Sequence, residues 1–168
     1  MSFTIRKVSV EDAYEYALCH TACWLDAYAG LVPDEYLKNM HNEQVRRAEK
    51  NREVFKEPGD NEYYCAEYEG KMVGRLVFGK CRDEDKTAAG EIHAIYLIAE
   101  HWGKGYGRQM LEFALSRLKQ NGYREIVIWM FAGNDRAKAF YEKHGFKPDG
   151  RKNTIKIGKP LAIARYVR

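Results

Sequence analysis

The chain has 168 residues, enough for one domain with a packed core and short for two. Its 28 Lys and Arg against 24 Asp and Glu give a net charge of +4, scattered rather than gathered into the basic face that a dedicated nucleic-acid binder needs. Hydrophobic residues at 45% exclude disorder, no apolar run nears the roughly 20 residues that cross a bilayer, and Met1–Lys7 has no apolar leader, so a cytoplasmic protein without membrane partners is expected.

In chain order, Phe3 to Val8 alternates and reads as a strand. Ser9, with Asp12 three residues on, opens a helix from Val10 to about Leu25, whose inner face carries Ala13, Tyr16, Ala17, His20 and Trp24. A bend at Gly30 leads to Pro33 as first residue of a second helix holding Tyr36, Leu37, Met40 and Val45. After the break at Pro58–Asn61, strands over Tyr63–Glu67 and Met72–Phe78 form a hairpin around Glu69-Gly70. A charged turn, Arg82–Lys86, precedes a strand over Glu91–Ile98. A helix over Gly105–Asn121 follows, with Met110, Leu111, Ala114, Leu115 and Leu118 on one face. Ile126–Met130 is a continuous apolar run, as suits a strand covered on both sides. Asn134 caps a short helix ending at His144-Gly145, and strands over Phe146–Pro148 and Leu161–Val167 complete the chain. With no linker or repeat, residues 1–168 read as a single α+β (mixed α/β) domain. Leu161–Val167 is the candidate for pairing two copies in a homodimer.

Cys19, Cys23, Cys65 and Cys81 do not cluster as zinc ligands do, and His20 and His41 have no partners at metal spacing, so no metal site is expected. The sharpest local feature is Gly103-Lys104-Gly105-Tyr106-Gly107-Arg108, between a predicted strand and a predicted helix. Backbone N–H groups at such a junction lie at the positive end of a helix dipole, and glycines let them approach a phosphate closely. The P-loop pattern fails, because Gly107 is followed by Arg108-Gln109 with no Ser or Thr for magnesium. The dinucleotide pattern fails as well, since its last glycine falls on Arg108 or Met110.

The stretch Glu91–Gly107 and its following helix resemble the acyl-CoA-binding motif of the GNAT superfamily of N-acetyltransferases, Arg/Gln-x-x-Gly-x-Gly/Ala. Asn134-Asp-Arg-Ala-Lys-Ala-Phe-Tyr-Glu-Lys-His-Gly-Phe146 resembles the family's second hallmark, and the two together cover residues 91–147. The resemblance implies a mostly antiparallel central sheet with one splayed parallel strand pair, flanked by about four helices. It also implies an acetyl-CoA-dependent N-acetyltransferase, with the pantetheine arm on the backbone of Leu97 and Ile98 and the pyrophosphate on the amides of Gly103, Lys104, Gly105, Tyr106, Gly107 and Arg108. An amide near Leu97 would polarise the thioester carbonyl. Trp102 stands where the motif has Arg or Gln, so binding there leans on backbone amides, Lys104 and Arg108.

Tyr141 matches the family tyrosine that acts as general acid toward the CoA sulfur. Glu91 aligns with the strand glutamate that serves some members as base, and strand alternation puts Glu91, His93 and Ile95 on one face, so His93 is the other candidate. Asn134 is both helix cap and CoA contact in this reading. Trp24, Tyr28 and Tyr36 lie where the family forms its acceptor pocket, in a run that resembles a subgroup including polyamine acetyltransferases; the same positions suit core packing. The acceptor is thus expected to be a primary amine of a polyamine-like small molecule or a protein, acetylated by direct transfer in a ternary complex. A non-catalytic acyl-CoA-binding regulator is the alternative, and a nucleotide-binding enzyme using the glycine loop comes third.

Overall fold

The computed structural model describes residues 2–168. Strand β1 (Phe3–Lys7) leads through a 3-10 turn into α1 (Ala13–Tyr28), followed by α2 (Asp34–Asn39) and α3 (Gln44–Lys56). Strands β2 (Asn61–Tyr68), β3 (Lys71–Lys80) and β4 (Gly90–Leu97) come next, then α4 (Tyr106–Gln120), β5 (Ile126–Phe131) and α5 (Asp135–Lys143). The chain closes with β6 (Lys147–Ile157) and β7 (Lys159–Val167). One sheet holds all seven strands in the order β1-β2-β3-β4-β5-β7-β6. Among the described residues only β4 and β5 pair in parallel. This is a mixed α/β fold with the mostly antiparallel sheet and single parallel pair expected, carrying five α-helices rather than about four.

Local chemistry explains the entry to α1. The Ser9 N–H donates to the Asp12 carboxylate at 2.7 Å, and Arg6 donates to both Asp12 oxygens at 2.8 and 2.9 Å. Residues Val10–Asp12 form the 3-10 turn and the α-helix proper runs on to Tyr28, past Leu25. Pro33 is the cap of α2 rather than its first residue. The pattern did not separate α3 from α2: Ala48 is its only buried residue, and Val45, expected on the inner face of the second helix, is 62% exposed at the start of α3. A helix held by one small residue, by the Asn51 side chain donating to Ala13 O at 3.0 Å and by Phe55 against Tyr16 leaves little periodicity to read.

The last two strands differ most from expectation. Instead of a short strand over Phe146–Pro148, β6 runs eleven residues as a polar edge strand and turns at Gly158, which has φ 71°. Strand β7 lies between β5 and β6, with both edges used inside the chain, so Leu161–Val167 has no free edge to pair two copies; the sheet's open edges are those of β1 and β6.

The main core fills the face under α4 and α5, with Leu76, Phe78, Ile92, Met110, Leu111, Ala114, Leu118, Ile128 and Phe146. On the opposite face α1 brings Tyr16 against Cys65 and Val77. The far end of α1 joins α2 and the β6–β7 hairpin around Tyr28, Val32, Leu37 and Phe131.

Candidate active site

Strands β4 and β5 pair over three residues only, Gly90 with Ile126, Glu91 with Val127 and Ile92 with Ile128. Beyond Ile92 they part. The cause lies on the other side of β4: Phe78 faces Ile92 and Val77 faces Ala94, so His93 is an extra residue, a β-bulge that bends the strand. The bulge also changes which side chains share a face. Ile92, Ile95 and Leu97 join the core under α4, whereas Ala94 and Tyr96 pack on the α1 side. Simple alternation, which placed Glu91, His93 and Ile95 together, fails at this residue.

A cavity of about 670 Å³ opens where the strands part. Backbone direction decides which groups face it. The Ile98 N–H bonds Val73 O on β3 at 2.9 Å, so alternation turns the Leu97 N–H toward the gap left by β5. Of the two expected backbone positions, Leu97 lines the cavity and Ile98 does not.

The glycine loop forms one wall. Gly103 and Gly105 have φ of 71° and 82°, the left-handed region, and an added Cβ at either would meet open space, so conformation rather than crowding requires glycine. Gly105 caps α4 without a side chain, and the first amide of the helix to find a backbone partner is Gln109, at 3.2 Å from Gly105 O. The N–H groups of Tyr106, Gly107 and Arg108 are therefore free at the positive helix end, as an anion-binding site requires. Gly103, Gly105, Gly107 and Arg108 line the cavity, while Lys104 is exposed outside it. Tyr106 stacks its ring on Phe3 at 4.2 Å, so it can offer this site only its amide. The Trp102 indole N–H donates to Leu97 O at 2.6 Å, and the Arg136 guanidinium lies on the face of the same ring, 3.2 Å from its centre.

Helix α5 forms the opposite wall. The Asn134 side chain accepts from the Ala137 N–H at 3.1 Å and lines the cavity. Tyr141 lies there too, 6% exposed, and its hydroxyl has no hydrogen-bond partner among the described residues. Burial raises its acidity range well above the ordinary 10, the Tyr96 hydroxyl adds to this, and the Arg136 charge opposes both. The phenol therefore holds its proton at neutral pH. Arg136, Phe140, Lys143 and His144 line this wall as well. All four stand inside the second quoted motif, where their types, but not their direction, were readable.

The two base candidates are placed differently. His93 lines the cavity, with neither ring nitrogen in a well-aligned hydrogen bond; its Nδ1 lies 3.3 Å from Glu91 Oε1. Glu91 is 1% exposed and outside the cavity lining. Arg82 donates to it from its backbone N–H at 3.1 Å and from Nη2 at 2.6 Å. Burial would raise the Glu91 carboxyl, but the neighbouring His93 and Arg82 prevail and hold it at about 2. On the acceptor side, Tyr28 lines the cavity and its hydroxyl pairs with that of Tyr96 at 2.7 Å. Trp24 packs behind it, 4.8 Å from Tyr28 between ring centres, and Tyr36 stands apart on α2 against the Gly158 turn. No Asp or Glu is among the residues lining the cavity, whereas Arg108, Arg136 and Lys143 are.

A family model described as "Acetyltransferase (GNAT) family" matches residues 21–146. The chain belongs to this family. It is an N-acetyltransferase that takes its acetyl group from acetyl-CoA. Among its relatives, the uncharacterized N-acetyltransferase YuaI of Bacillus subtilis is 27% identical over 131 residues, 78% of this chain and 73% of that protein. The spermidine N(1)-acetyltransferase of Thermoplasma acidophilum is 24% identical over 147 residues, 88% of this chain and 89% of that one. The crystal structure of PaiA N-acetyltransferase from the same organism, in complex with coenzyme A, superposes with a TM-score of 0.76 at 22% identity and covers 98% of both chains.

Proposed function

We propose that this acetyltransferase modifies a primary amine of a small, polyamine-like molecule or of a protein, by direct transfer with both substrates bound. The observation that carries the reading is the cavity between β4 and β5, where a free helix N-terminus, an inward strand amide and a buried, protonated tyrosine meet. Its residues fit acetyl-CoA: uncapped amides and three cations suit the phosphates, and the gap between the strands suits a narrow arm. Bound there, acetyl-CoA supplies the activated acetyl group and a thiolate leaving group.

The chain's own groups do the rest. The Leu97 N–H donates toward the acetyl carbonyl and stabilises negative charge developing on it. An amine is mostly charged at neutral pH, so a base must take its proton before attack. His93 fills that role better than Glu91, because it lines the cavity with neither buried ring nitrogen committed to a hydrogen bond, while Glu91 is held by Arg82 as a weak base. Glu91 then orients the imidazole from 3.3 Å. Tyr141 delivers a proton to the departing sulfur. A solvated thiol titrates near 8.5, so a phenol raised by burial would give up its proton reluctantly, but the same burial raises a thiolate in the split. For the acceptor, the spermidine relative and the Trp24–Tyr28–Tyr96 aromatic group favour a small amine.

Thiol release from acetyl-CoA, measured against polyamines, aminoglycosides, amino acids and N-terminal peptides, tests the reading. Turnover is expected with one amine class, and Tyr141→Phe should lower kcat by about 100-fold or more with acetyl-CoA binding unchanged. Full activity in Tyr141→Phe would overturn the role of Tyr141. Tight acetyl-CoA binding with no turnover on any amine would favour a regulator instead.

A further inference from the structure

Arg136 sits in an unusual setting for a cation. Its guanidinium lies flat on Trp102, with Cζ 3.2 Å from the ring centre, and no carboxylate among the described residues pairs with it. Trp102 cannot move freely beneath it, because the indole N–H is committed to Leu97 O at 2.6 Å. That bond also removes the only side-chain donor Trp102 could have offered an anion, and its backbone N–H is spent on Ala99 O at 3.0 Å. The residue after Trp102 is Gly103, which opens the loop whose amides are free, so Arg136 is brought from α5 across the split to the edge of the anion site. Of the other cations, Arg108 is within 3.4 Å of Glu112, Lys104 lies outside the cavity, and Lys143 lines it from the last residue of α5, about two helical turns beyond Arg136. A stacked guanidinium keeps its N–H groups in the plane of the fork and at the rim of the ring, free for a bidentate contact, and the ring beneath limits the freedom lost on binding.

We propose that Arg136, seated on Trp102, is the phosphate-binding cation of this site, contacting the pyrophosphate of acetyl-CoA from α5 where residue 102 itself supplies no charge. Trp102 is in this view the platform for a charge carried by another helix. The proposal rests on reading the split as the acetyl-CoA site.

The test is the affinity of three acetyl thioesters by calorimetry or competition: acetyl-CoA, its dephospho form, which keeps the pyrophosphate, and S-acetylpantetheine, which has no phosphate. Arg136→Met is expected to weaken the first two by about 10- to 100-fold and leave the third unchanged. Arg136→Lys, with the charge but not the fork, should fall between. Adding Trp102→Arg to Arg136→Met should restore most of the lost acetyl-CoA affinity by returning a cation to the neighbouring position. An equal loss for all three esters would overturn the proposal in favour of a packing role, and acetyl-CoA affinity within about twofold of wild type would overturn it outright. A change confined to the acceptor KM would overturn it too, placing Arg136 on the amine substrate. Wild-type protein that binds no acetyl-CoA would instead overturn the transferase reading itself.

Discussion

The Glu91–His93 pair shows how one carboxylate can be too well held to act as a base. Glu91 is 1% exposed and has the Arg82 backbone and guanidinium as donors, with His93 Nδ1 at 3.3 Å. A carboxyl held at about 2 has little affinity for a proton at neutral pH, whereas the neighbouring imidazole lines the cavity and has neither ring nitrogen committed to a hydrogen bond. His93→Ala is therefore expected to lower kcat by about 100-fold, with partial recovery on added imidazole, while Glu91→Gln costs less because it removes only the group that orients the ring. Steady-state kinetics of both variants decide between them. A larger loss in Glu91→Gln, with His93→Ala nearly active, would move the base to Glu91.

At the scale of elements, the split depends on how closely β3 approaches β4. Gly74 faces Leu97 across that pair, and a Cβ there would meet Tyr96 O at 2.7 Å, Leu97 Cδ1 at 3.1 Å and Ala66 Cβ at 3.3 Å. Two of these contacts are backbone or tightly packed methyl, so β4 would have to shift. Gly74→Ala is expected to destabilise the protein by about 1–3 kcal/mol, lower Tm by several degrees and weaken acetyl-CoA binding by displacing the Leu97 amide. Thermal unfolding with and without acetyl-CoA measures both effects, and an unchanged Tm would show that β4 yields without cost. The same scale separates what the sequence made legible from what it hid. The glycine loop, the amphipathic α4, the apolar β5 and the Asn134 cap of α5 are written in local residue types, and the structure has them where they were expected. The bulge at His93 is a property of the pairing with β3, invisible to a period-two pattern along one strand. Strand β6 is a polar edge and α3 buries one alanine, so neither displays a hydrophobic period. The Arg136–Trp102 stack joins residues from two elements, and neither position alone announces it.

Across the whole molecule, buried and half-buried ion pairs tie distant segments together. Arg165, 4% exposed on β7, binds Asp83 and Asp85 of the β3–β4 connection and Asp149 of β6, at 2.7 to 2.9 Å. Arg82 and Glu91 close the same connection onto β4. These carboxylates make stability depend on pH, and Glu91 gives the sign most clearly. Its folded state titrates at about 2 against an ordinary 4.5, so the unfolded chain binds the proton first as pH falls. The stabilisation is complete above about pH 4.5 and is lost progressively as pH drops through about 2. Holding the carboxyl at about 2 rather than 4.5 corresponds to roughly 3 kcal/mol, the side chain being almost fully buried. Glu91→Gln cannot titrate, so it should be the less stable chain at neutral pH, and its urea midpoint should fall less steeply between pH 4.5 and 2. The two midpoints then draw together as acid protonates Glu91 in the wild type and breaks the same contacts. Parallel midpoint-against-pH curves for the two chains would show that Arg82 and His93 do not hold the carboxylate in this way. The pairing that keeps Glu91 from acting as a base would then lose its support as well.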